Sequence, residues 1–226
     1  MGITAGDFAI YYPRLYHMAE PGIWPSIRRH GLLSTSALLS LYQIRGEQRR
    51  EIESCHRPQS IEIRHEKYGT AVIRDQKPMG DTALQKCLVS MTPAEWYETL
   101  NHKVFFWVTA ARVNGLLVAK AYRGREHTVL TVDTAMLLER HARRLTLSPI
   151  NSGSTLYKAQ PRGRDTFRRL GEYPFSDRRK LRGLANAVAE LAVENQVEDI
   201  SNIVTRVELR NGSRVVKVIF ERAAAR

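Results

Sequence analysis

The sequence predicts an α+β fold in which all 226 residues, 1–226, form a single domain. A helix with a clear start lies at residues 92–101, two compact apolar runs typical of buried strands lie at 103–109 and 127–134, and a hairpin signal follows at 203–220. Short strands that alternate irregularly with helices, without an internal repeat or a linker, favour one packed α+β domain.

The N-terminal segment, residues 14–34, is predicted to form a strand, a turn and a short helix. Pro21 and Gly22 mark the turn, and Pro25 suits the first turn of a helix. Gly31 suits the position just after the last helical residue, where a left-handed backbone is common.

Helical and strand segments are predicted to continue toward the middle of the chain. A second helix runs from Ser36 into the charged segment before residue 60, and residues 60–81 form strand or loop. In the helix at 92–101, Thr92 is the cap residue and Glu95 completes a capping box.

The C-terminal half is predicted to hold the buried strands and a hairpin. A helix at 110–122 separates the two apolar strands, and residues 148–155 are rich in turn formers. Asn211 and Gly212 lie between two β-branched runs and predict the hairpin. This hairpin is either an edge of the central sheet or a small appendage.

The charge balance indicates a polyanionic partner. The chain carries 35 Lys and Arg against 23 Asp and Glu, a net charge of +12, and cations that face phosphates release condensed counterions. Nine basic and three acidic residues lie between Lys158 and Arg182, with Phe167, Tyr173 and Phe175 among them. Such a segment suits single-stranded nucleic acid; a solvated basic face, an acidic protein partner and an anionic membrane surface are the alternatives.

The sequence lacks the signals of secreted proteins, membrane proteins, metalloproteins and the common nucleotide-binding and hydrolase families. There is no secretory signal, and Cys55 and Cys87 are the two cysteines, so a cytoplasmic location is expected. No apolar run is long enough to span a membrane. The seven histidines are dispersed and no CxxC occurs, so no metal site is expected. Walker, Rossmann and G-x-S-x-G motifs are absent.

The segment "LANAVAELAVENQVEDI", residues 184–200, has the pattern of an amphipathic helix that places Glu190 among apolar residues. Its apolar stripe and its acidic stripe consist of Leu184, Val188 and Leu191, and of Glu190, Glu194 and Glu198. The segment alone favours a solvated acidic stripe. The alternative is that Glu190 lies in a cleft and performs acid–base chemistry.

Four separated segments of the chain resemble the DarT-like ADP-ribosyltransferases, bacterial toxins that modify nucleic-acid bases using NAD. The segments are "LYHMAEPGIWPSIRRHGLLS", "SIEIRHEKYGTAVIRD", the pair "VFFWVT" and "VLTVDT" with "INSGST", and "AVAELAVENQVEDISNIVTRVEL". The resemblance covers residues 14–209 in order and rough spacing. The sequence departs from the family at "FFW", where relatives often have "FYF", which leaves the target open. A bacterial RNA 2′-phosphotransferase of the same fold is a more distant relative.

The resemblance implies an ADP-ribosyltransferase-like fold, with a central split mixed β-sheet and flanking helices, that uses NAD as co-substrate. In this role Glu190 is the catalytic acid/base, which holds the ribose hydroxyl, stabilises positive charge on the sugar and accepts a proton from the acceptor. Glu194 or Glu208 replaces it if the alignment slips. Arg64 is a second catalytic candidate that binds a diphosphate oxygen or orients the acceptor base. The alternatives are that Arg64 is a surface arginine without a catalytic role, and that Arg74 takes its place.

The resemblance also implies a set of NAD-binding residues. His17 bonds an NAD ribose, and Tyr16 beside it either contacts the cofactor or packs in the core. Of the aromatic residues 105–107, one or two point into the core and another, taken as Phe106, flanks the nicotinamide. Asn151, with Ser154, shapes the NAD or acceptor pocket.

The basic segment before Glu190 lies where this fold carries its target-recognition loop. The resemblance therefore implies a nucleic-acid acceptor, DNA in preference to RNA, and an antitoxin as a further protein partner. The nucleic-acid-binding candidates are Arg168, Arg169, Tyr173, Arg178, Arg179 and Arg182, with Tyr173 or Phe175 stacking on a base. The alternatives are a protein or RNA 2′-phosphate acceptor, and a nucleic-acid-binding module without catalysis.

Overall fold

A computed structural model describes residues 1–156 and 159–223. Within these ranges the strands are β1 (Arg14–Ala19), β2 (Leu32–Leu33), β3 (Ile61–His65), β4 (Gly69–Ile73), β5 (Leu88–Val89), β6 (Lys103–Trp107), β7 (Glu126–Asp133), β8 (Leu145–Ser148), β9 (Arg162–Gly163), β10 (Glu190–Glu194), β11 (Gln196–Val197), β12 (Val204–Asn211) and β13 (Arg214–Glu221). The α-helices are α1 (Ala5–Tyr11), α2 (Trp24–His30), α3 (Thr35–Leu41), α4 (Gly46–Ser54), α5 (Asp81–Gln85), α6 (Pro93–Asn101), α7 (Ala110–Leu117), α8 (Thr134–His141), α9 (Phe175–Arg182), α10 (Leu184–Ala187) and α11 (Ile200–Ile203).

Seven strands form one large sheet in the order β13-β12-β7-β1-β6-β10-β8. Each neighbouring pair in this sheet is antiparallel. The α+β class predicted from the sequence is confirmed, but the prediction of a mixed sheet is wrong. A parallel pair occurs between the short strands β5 and β9, outside the large sheet.

The predicted C-terminal hairpin forms an edge of this sheet. Strand β12 pairs with β7 along its length, and β13 pairs with β12. The turn contains Gly212 with φ of 56°, a left-handed backbone that glycine adopts without steric cost. The hairpin is therefore part of the central sheet and not an appendage.

The sheet is weakly joined between β1 and β6. These strands share a single paired position, Tyr16 with Trp107, whereas β1 pairs with β7 at six consecutive positions. Beyond Tyr16 the two strands diverge, which leaves backbone groups of β6 without a strand partner. The gap is the place where the structure opens a cavity.

Helices cover both faces of the large sheet. One face packs against α1, α2 and α8 through a core that includes Phe8, Ile27, Leu137 and Leu191. The other face packs against α7 and α6 through the residues Val113, Leu117, Trp96 and Tyr97. Burial of these apolar side chains stabilises the fold by roughly 1.5–3 kcal/mol for each large side chain.

Several helices differ in length from their predictions. The helix predicted from Ser36 into the charged segment is two helices, α3 and α4, because Gln43 adopts a positive φ of 57° between them. The helix predicted at 110–122 ends at Leu117. The helix at 92–101 has the predicted capping box of Thr92 and Glu95, and 60–81 contains the hairpin β3–β4.

The helix predicted over residues 184–200 is wrong, because Glu190 begins an interior strand of the sheet, between β6 and β8. The short helix α10 ends at Ala187 and β10 follows. Leu191 and Val193 face the core and are fully buried. Glu190 and Glu194 are spaced by four residues, a spacing that fits one face of a helix but equally fits one face of a strand.

Gly31, which ends α2, offers a test of the fold. Its φ is 83°, and a Cβ there would lie 2.9 Å from the Cα of Glu198 and from the carbonyl oxygen of Val197. Both the backbone conformation and the backbone clash oppose a side chain. We expect Gly31→Ala to lower the free energy of unfolding by more than about 1 kcal/mol, measured by urea denaturation.

The matched control is Gly6→Ala in α1. A Cβ at Gly6 has no neighbour within 4 Å, and alanine favours helix over glycine by up to about 1 kcal/mol. A Gly31→Ala protein as stable as the Gly6→Ala protein would contradict the described backbone.

Candidate active site

A cavity of about 1110 Å³ lies at the gap between β1 and β6. Its lining is mostly apolar and includes residues of β1, α2, α3 and β6. The polar residues of the large sheet that line it are His17 from β1, Lys103 from β6 and Glu190 from β10. The volume suits a ligand larger than a mononucleotide, since pockets for small molecules commonly have 300–1,000 Å³.

Glu190 is buried at the start of β10, with 4% of its surface exposed. It pairs with Trp107 of β6 on one side and with Ser148 of β8 on the other. The hydroxyl Oγ of Ser152 donates to Oε2 at 2.7 Å, and the amide of Ser152 lies 3.2 Å from both carboxylate oxygens. The loop after β8 therefore fixes the carboxyl in place.

The environment of Glu190 favours its neutral form more than water does. Burial raises the pKa of Glu190 from 4.5 to about 7, while the hydrogen bonds from Ser152 and the positive charges of Arg112 and Arg162 act in the opposite direction. Desolvation wins this balance. A carboxyl with a pKa near neutrality exchanges protons readily at physiological pH, which suits a general acid or base.

His17 bridges the diverging strands. Its Nδ1 lies 2.8 Å from the carbonyl oxygen of Phe105, a backbone group that a continuous β1–β6 ladder would satisfy. Desolvation of the ring lowers the pKa of His17 to about 4, opposed by this hydrogen bond. The ring is therefore neutral at pH 7, with its proton on Nδ1, because the carbonyl only accepts. The other nitrogen, Nε2, is left as an acceptor.

The aromatic residues near the gap divide between cavity and core. Phe105 and Trp107 line the cavity. Phe106 is fully buried in the core on the opposite face of the sheet, so its predicted place beside a cofactor is wrong. Tyr16 packs beside Trp107 against α7 and does not line the cavity. Of its two predicted roles, the structure therefore favours packing in the core.

The structure places Arg64, the second catalytic candidate, away from the cavity. Its side chain is 79% exposed on β3 and pairs with Glu62, and it does not line the cavity. Its rival Arg74 does line the cavity. There the guanidinium donates to the carbonyl of Met18 at 3.3 Å and lies 4.7 Å from the ring centre of Tyr122.

The two glutamates named as substitutes for Glu190 have other partners. Glu194 pairs with Lys103, and Glu208 pairs with Arg206. Neither lines the large cavity. The structure therefore favours Glu190 among the three.

The predicted nucleic-acid-binding residues separate into exposed and structural groups. Arg168, Arg169, Arg179 and Arg182 are exposed, whereas Lys158 lies outside the described residues. Tyr173 is buried, and its hydroxyl donates to the carbonyl of Ala187 at 2.6 Å, so it does not present a ring to a base. Phe175 is likewise buried.

Arg178 and Arg179 differ in their contacts although they are neighbours on α9. Arg178 is half-buried and donates to the carbonyls of Ala187 and Pro149. Arg179 is exposed and lies 4.7 Å from the ring centre of Tyr11. Arg178 therefore links α9 to the segments that precede β10 and follow β8, whereas Arg179 forms a cation–π contact with Tyr11 at the surface.

The turn-rich loop at 148–155 contributes more to the site than its sequence indicates. Asn151 and Ser154 line the large cavity as predicted for pocket residues. Ser152, which was not predicted, holds Glu190, and Arg162 donates to the carbonyl of Ser152 at 3.0 Å. An Asn-Ser-Gly turn has no signal that identifies which of its polar residues turns inward.

One group of potential metal ligands, His141, Glu198 and Asp199, lies together although the sequence disperses it. His141 Nε2 lies 2.7 Å from Asp199 Oδ1. Arg140 bonds to Asp199 and Arg144 bonds to Glu198. These arginines already neutralise the acids, so the group is an ion-pair network in the described structure.

These features define an α+β protein with a buried acid in a cleft at the middle of an antiparallel sheet. The chain belongs to the family of unknown function DUF7002, whose family description matches residues 13–204. That range contains His17, Glu190 and the loop with Ser152. No curated protein matches the sequence. Among the described residues, no helix has both the length and the apolar composition needed to cross a bilayer.

The raised pKa of Glu190 predicts a pH-dependent stability. Because the pKa is about 7 in the folded protein and 4.5 ordinarily, the stability linked to the neutral carboxyl is complete below about pH 4.5. It is lost as the pH rises through 7, by an amount on the order of 3 kcal/mol. We expect Glu190→Gln, which cannot ionise, to gain this stability relative to wild type between pH 4.5 and 8.

Urea denaturation at a series of pH values measures this difference. The control is Glu172→Gln, which changes an exposed glutamate and keeps the pH dependence of the wild type. A constant difference between Glu190→Gln and wild type across this range would show that the carboxyl is hydrated, contrary to the described site.

Proposed function

We propose that the protein is an NAD-dependent ADP-ribosyltransferase with an ADP-ribosyltransferase-like fold, acting as a bacterial toxin on a base in DNA or RNA. One observation carries the proposal. The buried carboxyl of Glu190 and the ring of His17 reach one large cavity where the sheet divides between β1 and β6. The resemblance of the four sequence segments to DarT-like enzymes supports the same assignment.

The cavity has features that suit NAD as co-substrate. Its volume of about 1110 Å³ accommodates a dinucleotide, and its apolar lining suits a nicotinamide or adenine ring. The Nε2 of His17 is an acceptor for a ribose hydroxyl, and the indole ring of Trp107 also lines the cavity. The chemistry needs a carboxylate and no metal ion.

Glu190 performs the proton transfer in this proposal. NAD supplies the ADP-ribosyl group, and nicotinamide leaves with the electron pair of the glycosidic bond. The ionised carboxylate of Glu190 attracts the positive charge that develops on the sugar, and accepts the proton that the acceptor nitrogen loses as its bond to the sugar forms. With a pKa of about 7, about half of the protein molecules hold the ionised form at neutral pH.

The acceptor is a nucleic acid because of the distribution of charge. The chain has a net charge of +12, and exposed arginines lie on α9 and on the segment before it, near the start of β10. An antitoxin would protect the producing cell, as a toxin of this class requires.

Incubation with labelled NAD and separate pools of DNA, RNA and protein tests the proposal. We expect label in a nucleic-acid pool and release of nicotinamide. Label in protein alone would change the acceptor. Binding of nucleic acid with no consumption of NAD would favour the alternative of a binding module.

Glu190→Gln is expected to lower the rate of transfer by at least about a hundredfold, since a positioned acid or base contributes roughly 10²–10⁴. Nucleic-acid binding, measured by fluorescence anisotropy, should change little. The matched control is Glu194→Gln on the same strand, whose side chain pairs with Lys103 and does not line the cavity. If both variants lose transfer equally, the assignment of Glu190 fails.

His17→Asn is expected to weaken NAD binding about tenfold while transfer at saturating NAD falls less. Asparagine keeps a donor for the carbonyl of Phe105 but is too short to present the second acceptor. Calorimetry with NAD and the split between KM and kcat measure the effect. An unchanged KM with reduced thermal stability would assign His17 to structure alone.

A further inference from the structure

A second cavity, of about 570 Å³, lies on the other side of the loop that holds Glu190. Asn151, Ser154 and Leu156 line both cavities. The second cavity differs from the first in its charge. Four arginines line it: Arg112, Arg162, Arg178 and Arg182.

No acidic residue lines this cavity among the residues that the structure describes. Within the same ranges, none of the four arginines forms an ion pair. Other arginines of the chain, such as Arg49 and Arg144, pair with glutamates. A concentration of unpaired cations around a concave site is costly and favours an anionic ligand.

The four guanidinium groups extend from the interior to the rim. Arg162 is buried, with 3% of its surface exposed, and Arg112 and Arg178 are half-buried, while Arg182 is exposed. The Nε of Arg112 is buried without a hydrogen-bond partner in the described structure. Burial lowers the pKa of both Arg112 and Arg162. Such desolvated donors strengthen a bond to an anion.

The cavity is connected to Glu190 through Ser152. The amide and hydroxyl of Ser152 donate to Glu190, and its carbonyl accepts from Nη1 of Arg162. Arg112 reaches from α7 to Asn186 at 3.2 Å, on the segment just before β10. A ligand in this cavity is therefore separated from the acid by one loop residue.

We propose that the second cavity binds a phosphate group of a single-stranded nucleic-acid acceptor and thereby holds that acceptor beside Glu190. This inference takes only the identity of the acceptor from the proposed function. Arginine is suited to the task because its planar donors match phosphate oxygens in pairs. The volume of about 570 Å³ accommodates a nucleotide unit, and the exposed Arg182 marks the side from which the strand arrives.

Binding of an oligonucleotide with a normal backbone, compared with a methylphosphonate oligonucleotide of the same sequence, tests the role of phosphate charge. We expect the normal backbone to bind at least about tenfold more tightly, and inorganic phosphate to compete. Arg182→Gln and Arg112→Gln should each weaken binding about tenfold. The matched control is Arg143→Gln, which removes the same charge from an exposed arginine outside the cavity and should change affinity less than about twofold.

Three results would overturn the proposal. Equal losses for Arg182→Gln and Arg143→Gln would indicate general surface attraction. A lack of competition by inorganic phosphate would show that the cavity has no phosphate site. A phosphoserine peptide that binds more tightly than the oligonucleotide would assign the cavity to a protein ligand.

Consumption of NAD, followed in the same preparations, separates this proposal from the proposed function. Phosphate-dependent binding without cleavage of NAD would support the phosphate site and contradict the proposed transferase activity. Cleavage of NAD together with nucleic-acid binding that does not depend on Arg112 or Arg182 would support the transferase activity and contradict the phosphate site.

Discussion

The hydrogen bonds between Ser152 and the buried carboxyl of Glu190 are the interaction on which the site depends. A carboxyl transferred from water into an apolar environment loses hydration worth several kcal/mol. The amide and hydroxyl of Ser152 compensate part of this lost hydration by donating hydrogen bonds to the carboxyl. Arg162 in turn donates to the carbonyl of Ser152. The loop after β8 is therefore bound at both faces, and the acid keeps one orientation toward the large cavity.

A second constraint is the incomplete pairing of β1 with β6. A sheet interior normally satisfies every backbone donor and acceptor, yet these strands share one paired position. The ring of His17 takes the carbonyl of Phe105 in place of a strand. This contact places the proton on Nδ1 and leaves Nε2 as an acceptor on a residue that lines the cavity, while burial keeps the ring neutral. The opening in the sheet and the polar group that lines it therefore have one cause.

Local signals in the sequence predict the elements of the fold well where one residue type decides the backbone. The capping box of Thr92 and Glu95 and the turn at Gly212 have this character. The segment around Glu190 fails because a spacing of four residues fits both a helix face and a strand face. Tertiary packing decides between them, because it buries Leu191 and Val193 in an interior strand of the sheet.

The site residues were predictable to a smaller extent, because the sequence does not show which way a side chain points. Residues 105–107 alternate across the sheet, and the register of β6 with β1 decides that Trp107 and not Phe106 faces the cavity. Tyr173 is a residue type that stacks on bases, but here the residue is buried and its hydroxyl donates to the carbonyl of Ala187. Ser152 and Arg162 meet across ten residues of chain, a contact that only the folded loop creates.

The arginines near Glu190 have two effects that compete. Arg112 and Arg162 favour the ionised carboxylate, yet the pKa of Glu190 remains near 7 because burial outweighs them. An anion in the second cavity neutralises part of their field and so favours the protonated carboxyl further. The acid and an anionic ligand therefore share the same positive charges, and the proton on Glu190 is linked to occupancy of the neighbouring cavity. In a transfer reaction, this linkage lowers the ionised fraction of Glu190 when an acceptor phosphate is bound.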